Sequence, residues 1–140
     1  MTVHKLPSDI WQEQDDVVLN QANPASGTEY TVLDTTKNVR LMEISIKCTW
    51  TAQPTPLELR VYIDGQTYVF TKTDPASNTY YYPYDNITVA KNGHLLGVAE
   101  TDLTYKAFWK EGRSVKVTAE ITGGTVSNLA CRVRYAQRGG

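Results

Sequence analysis

The feature that most restricts what this chain can become is a hydrophobic period of two. In NVRLMEISIKCTWT, residues 38–51, Met42, Ile44, Ile46, Cys48 and Trp50 alternate with Glu43, Ser45, Lys47, Thr49 and Thr51. Successive side chains of an extended strand point to opposite faces, so this pattern specifies a long strand with one face in a core and the other in water. LELRVYID, residues 57–64, repeats it with Leu57, Leu59, Val61 and Ile63 inward. SVKVTAEI (114–121) and VSNLACRVRYA (126–136) repeat it again, with Val115, Val117, Ala119 and Ile121 facing Leu129, Cys131, Val133 and Tyr135.

Turn residues divide these runs. Proline has no backbone donor, so AQPTP (52–56) ends the long strand. Asp64-Gly65 before QTYVFTK is a tight-hairpin signal that places Tyr68 and Phe70 inward, and Gly123-Gly124 joins the last two strands into a hairpin. Asn92-Gly93 and Glu111-Gly112 read as further turns. DDVVLN (15–20), TEYTVL (28–33) and LTYKAFW (103–109) add shorter strands, and no segment carries a helical period. The expectation is an all-β, single-domain antiparallel β-sandwich, jelly-roll-like, of about eight to nine strands. Its domain spans 14–136, between an N-terminal arm (1–13) and a tail (137–140). A chain of 140 residues, 41% of them hydrophobic, needs neither metal nor disulfide to build one core.

The chemistry of the side chains points away from catalysis. Formal net charge is −1 and like charges form no block, so the basic footprint of a nucleic-acid binder is absent. No stretch of about 18 apolar residues suits a membrane span, and the first residues lack the apolar core of a secretion signal, so no membrane partner is expected. His4 and His94 stand near no serine, cysteine or carboxylate constellation in sequence. Glu43, Glu58, Glu100 and Glu120 have the parity of solvent faces, where a glycosidase pair would need convergence. Asp15, Asp16 and Asp34 lack calcium-loop spacing, and no phosphate-cradling glycine motif occurs. Cys48 and Cys131 sit in alternating runs and read as buried free thiols, with a disulfide between neighbouring strands as the alternative. No cofactor is expected. Asn86-Ile87-Thr88 matches the glycosylation pattern without a secretion signal to support it.

The aromatic residues carry the functional expectation. SNTYYYPYDNITV (77–89) concentrates Tyr80, Tyr81, Tyr82 and Tyr84; in a strand Tyr81 must oppose Tyr80 and Tyr82, leaving one set outside. That set is open to three readings: edge packing, a protein contact, or a sugar-stacking platform in which Tyr82 or Tyr84 is joined by Asn78 and Asn86. Ile10 and Trp11 lie in the arm, and a tryptophan there implies docking into a groove of its own domain or of a neighbour.

The strands SGTEYTVLDTTKNVRLMEISIKCTW, PLELRVYIDGQTYVF and GRSVKVTAEITGGTVSNLACRVRYA resemble the β-sandwich structural proteins of viruses and tailed phages, the capsid-decoration and tail-associated types. The resemblance rests on strand order and polar, threonine-rich strands. It implies a non-enzymatic virion subunit that binds other copies or other virion proteins through the arm and a tyrosine-bearing edge. The interaction surface expected is Ile10, Trp11, Tyr80, Tyr81, Tyr82 and Tyr84. The alternative is a carbohydrate-binding module or adhesin domain that stacks a glycan on exposed tyrosines.

Overall fold

A computed structural model describes residues 10–85, 94–97 and 110–138, with the side chains of residues 10–83, 96 and 110–138. The described residues form eleven strands in chain order: β1 (Gln12–Glu13), β2 (Val17–Ala22), β3 (Tyr30–Thr35), β4 (Asn38–Ala52), β5 (Leu57–Ile63), β6 (Gln66–Lys72), β7 (Tyr82–Asp85), β8 (His94–Gly97), β9 (Lys110–Gly112), β10 (Val115–Ile121) and β11 (Thr125–Arg138). No helix occurs among the described residues.

Two sheets form. One has the order β1-β11-β4-β9 with β2 also on β11; the other runs β3-β10-β5-β6-β8-β7. The pairings are nested: β5 with β6, β4 with β9, β3 with β10, β2 with β11. That is one long hairpin rolled on itself, with alternate pairs assigned to opposite sheets, which is the jelly-roll arrangement. β7 and β8 are an insertion into the second sheet, where Thr71↔Leu95 is a parallel contact between β6 and β8 and the other pairings are antiparallel. With β1 they raise the strand number above the eight or nine that periodicity suggests.

The turns are where their chemistry puts them. Asp64 and Gly65 both have positive φ (49° and 85°), as a two-residue hairpin loop requires, and the Asp64 carboxylate also accepts from Arg113 N and Ser114 N at 2.9 Å each. Gly123 and Gly124 likewise share a φ of 72°. Glu111-Gly112 is no turn: Gly112 pairs with Val39 and Glu111 with Arg40 in β9. A Cβ at Gly112 would lie 2.5 Å from Ile63 Cγ2, so close packing between the sheets, and not a bend, accounts for this glycine. Residues 103–109 and Asn92-Gly93 lie outside the described residues.

The core is the inward parity of both sheets. Leu57, Leu59, Val61, Ile63 and Phe70 meet Val115, Val117, Ala119, Ile121, Leu129, Cys131 and Val133, all buried. Tyr68 packs partly buried against them. On β4 the parity shifts. Glu43 pairs with Arg134 but Leu41 with Tyr135, so Met42 is an extra residue in a bulge, and the inward set is Val39, Leu41, Ile44, Ile46 and Cys48. Met42, inward by simple alternation, therefore leaves the core line, and Trp50 is only partly buried. Cys48 and Cys131 are free thiols. Cys48 pairs with Leu129 and Cys131 with Ile46, so the two are diagonal neighbours, about 7–8 Å apart in such ladders and beyond disulfide reach.

Candidate functional site

The tyrosine run is placed by β4. Ile46 and Tyr81 exchange both backbone hydrogen bonds, at 3.0 and 2.8 Å, and Asn78 N donates to Cys48 O at 2.8 Å. Upstream, Ser77 Oγ accepts from Trp50 N and donates to Trp50 O, while Trp50 Nε1 donates to Pro75 O at 3.0 Å. Residues 77–81 thus cover the edge of β4 beyond the short β9, and the chain then crosses to the second sheet as β7. Alternation through this crossing decides each side chain. Tyr81 is 3% exposed and belongs to the core, its hydroxyl accepting from Ala76 N at 2.8 Å. It is therefore no part of an interaction surface. Tyr80 is 47% exposed, and Tyr82 is half-buried. The backbone of Tyr84 pairs with Leu95; its side chain, like Asn86, lies outside the described residues.

Tyr80 and Tyr82 line a concavity of about 330 Å³ on the outer face of the first sheet, with Glu43, Ser45, Arg132 and Arg134. Cross-strand register builds it: Arg132 is opposite Ser45 and Arg134 opposite Glu43, and the Ile46–Tyr81 pair sets the tyrosines beside these two rows. Asp16 accepts from Arg132 Nε at 2.8 Å, and Glu13 from Arg134 Nη2 at 3.2 Å. Glu43 approaches Arg134 only to 3.9 Å, an ion pair without a hydrogen bond. Lys47 Nζ stands 4.5 Å from the centroid of the Tyr80 ring and holds it by a cation–π contact. Among the described residues the Ser45 hydroxyl, 9% exposed, has no hydrogen-bond partner. Sequence reading missed Ser45, Arg132 and Arg134, because their neighbourhood depends on strand order.

Trp11 docks on its own domain. Its ring lies 4.5 Å from the Arg40 guanidinium carbon and 4.8 Å from that of Arg138, while Gln12 and Glu13 pair with Gln137 and Ala136 of β11. Arg40 is held in turn by Glu111 at 2.6 Å. Ile10 is 53% exposed just ahead of this clamp.

The outer face of the second sheet carries the remaining cluster. Arg60 binds Glu58 at 2.6 Å and Glu120 more closely, and lies 3.4 Å from Glu29. Glu29 also accepts from the hydroxyls of Tyr62 and Thr118, and Thr118 is buried beneath. Burial alone would raise the Glu29 carboxyl, but the hydrogen bonds from Thr118 and Tyr62 and the charges of Arg60 and Lys116 overcome it, so Glu29 is held below its ordinary value. A general acid needs the opposite displacement. Glu58 and Glu120 lie on the outer face as their parity requires, but Arg60 covers them in part, and Glu100 lies outside the described residues. Burial pushes the thiols of Cys48 and Cys131 up to about 11 and about 12, which suits packing and not nucleophilic work. Among the described residues no group of three His, Cys, Asp or Glu is placed to hold a metal ion, and no helix is long and apolar enough to cross a membrane.

No protein-family model and no curated protein matches the chain. A solved structure from the work titled "Bacillus endospore appendages form a novel family of disulfide-linked pili" superposes with a TM-score of 0.47 at 11% identity, over 99% of this chain and 100% of that one.

Proposed function

We propose that the protein is a non-enzymatic structural subunit, of the virion type its strands resemble in sequence, that assembles with further copies through its N-terminal segment and the sheet edge beside it. The observation that carries this reading is the anchoring of residues 10–13. Trp11 between two arginines and β1 on β11 fix where residues 1–9 join the domain, with exposed Ile10 at the junction. Next to it β2, VVLNQA, pairs with β11 and, among the described residues, with no other strand. It carries neither charge nor proline, the usual guards of an edge strand, and Val18 is 61% exposed. Such an edge suits strand-to-strand contact with another chain. The closed ion network around Arg60 and the inert thiols support a non-catalytic role.

Light scattering behind size exclusion tests this. The full chain is expected to form a defined oligomer that falls to monomer on deletion of residues 1–9 or on Val18→Lys, with unchanged circular dichroism. A full chain that stays monomeric at high concentration, or an oligomer indifferent to both changes, overturns it.

A further inference from the structure

We propose that the concavity between Tyr80 and Tyr82 is a binding site for a neutral sugar unit of a glycan. This goes beyond assembly: the site adjoins the anchored end of the arm through the Arg134–Glu13 pair but includes neither residues 1–9 nor the β2 edge.

Three features of the site select the ligand. The first is its floor. Ser45, 9% exposed, lines the cavity, and its hydroxyl has no hydrogen-bond partner among the described residues. In a concavity open to solvent such a hydroxyl is met by water, and a ligand hydroxyl can take that water's place. The second is the supply of both donors and acceptors. Among the described residues, Arg132 commits Nε to Asp16 while its terminal nitrogens have no partner, and the Glu43 carboxylate accepts no hydrogen bond. Vicinal hydroxyls, each both donor and acceptor, match a serine, a guanidinium and a carboxylate set side by side. The ring of Tyr80, 47% exposed, is the apolar contact open to the C–H face of a pyranose in a lining that is otherwise mainly polar.

The third is charge. Arg132, Arg134 and the adjacent Lys47 are balanced by Asp16, Glu13 and Glu43, three cations against three carboxylates. An acidic sugar or a phosphate would meet a site without positive surplus. An apolar ligand would strip water from Glu43 and Ser45 and replace it with nothing. A volume of about 330 Å³ lies at the small end of ligand pockets, which fits one sugar residue, not an extended chain.

The test is a glycan array carrying neutral hexose- and N-acetylhexosamine-terminated glycans beside sialylated and sulfated ones. It is probed with the full chain pre-assembled as a streptavidin tetramer, so that weak monovalent sites register. Binding to neutral glycans is expected. Titration of the best binder should weaken roughly tenfold in Tyr80→Ala and roughly three- to tenfold in Ser45→Ala, the loss of one stacking face and one hydrogen bond. Both positions lie outside the core, and circular dichroism checks their folding. Deletion of residues 1–9 should leave glycan binding intact, so this site and the assembly reading fail separately. No binding, binding restricted to acidic glycans, or binding that both substitutions leave unchanged overturns the proposal.

Discussion

Ile46 and Tyr81 donate to one another's carbonyls, Ile46 N to Tyr81 O at 3.0 Å and Tyr81 N to Ile46 O at 2.8 Å. This closed pair fixes the parity of the tyrosine run. It sends Tyr81 into the core and leaves Tyr80 and Tyr82 on the outer face of β4. The stability effects of neighbouring tyrosines should therefore differ sharply. Tyr81→Ala should cost about 3–5 kcal/mol, and Tyr81→Phe about 1–3 kcal/mol because Ala76 N–H loses its acceptor. Tyr80→Ala should cost under about 1 kcal/mol. Urea unfolding of the three variants measures the contrast.

The clamp on Trp11 predicts a local effect. Two cation–π contacts at a partly exposed site contribute about 0.5–1 kcal/mol each, so Trp11→Ala should destabilise the domain by roughly 1–2 kcal/mol. The larger change is expected in hydrogen exchange. The Gln14 amide, bonded to Tyr135 O at 3.0 Å, should exchange much faster while β5 and β10 amides do not.

The two glycines of the last hairpin share a φ of 72° but not their surroundings. A Cβ at Gly123 meets nothing within 4 Å, whereas at Gly124 it would lie 2.5 Å from Ala52 O and 2.6 Å from Pro54 N. Gly123→Ala should cost only the left-handed penalty, about 1–2 kcal/mol. Gly124→Ala adds a collision with backbone that cannot swing aside, and its melting temperature should fall well below that of Gly123→Ala.

The network around Arg60 sets an acid limit. Glu29 is held below its ordinary 4.5, so its contribution to stability is complete above pH 4.5 and is lost as pH falls through the lowered folded value. Glu29→Gln should be less stable than the parent at pH 7, with the difference shrinking in more acidic buffer. Arg60→Met, which leaves Glu29, Glu58 and Glu120 facing one another, should cost roughly 1–3 kcal/mol at pH 7 and recover part of that in acid. Denaturant midpoints from pH 3 to 7 test both.

The thiols give a chemical readout of the core. With Cys48 and Cys131 pushed up to about 11 and about 12, neither should react with a disulfide reagent at pH 8 in the folded protein, and both should react in urea.

Much of this architecture follows from side-chain order along the chain. Alternation alone places Leu57, Leu59, Val61 and Ile63 inside, assigns Asp64-Gly65 to a turn, and separates Tyr81 from Tyr80 and Tyr82, because an extended backbone fixes the face of each side chain locally. Met42 escapes that logic. Its bulge arises from pairing with β11, which the sequence of β4 does not contain. Glu111-Gly112 resembles a turn in composition, yet Gly112 is small because Ile63 lies against it.

What the sequence determined by itself is therefore the period, the turns and the all-β class, since each rests on contacts within a few residues. Only the tertiary structure decided that β2 would be an unguarded edge, that Trp11 would find Arg40 and Arg138, and that Ser45, Tyr80, Tyr82 and Arg132 would share one cavity. Those neighbours are separated by tens of residues, and their meeting depends on which strands pair when the long hairpin rolls up. That choice belongs to the packing of the whole core, and no local pattern encodes it.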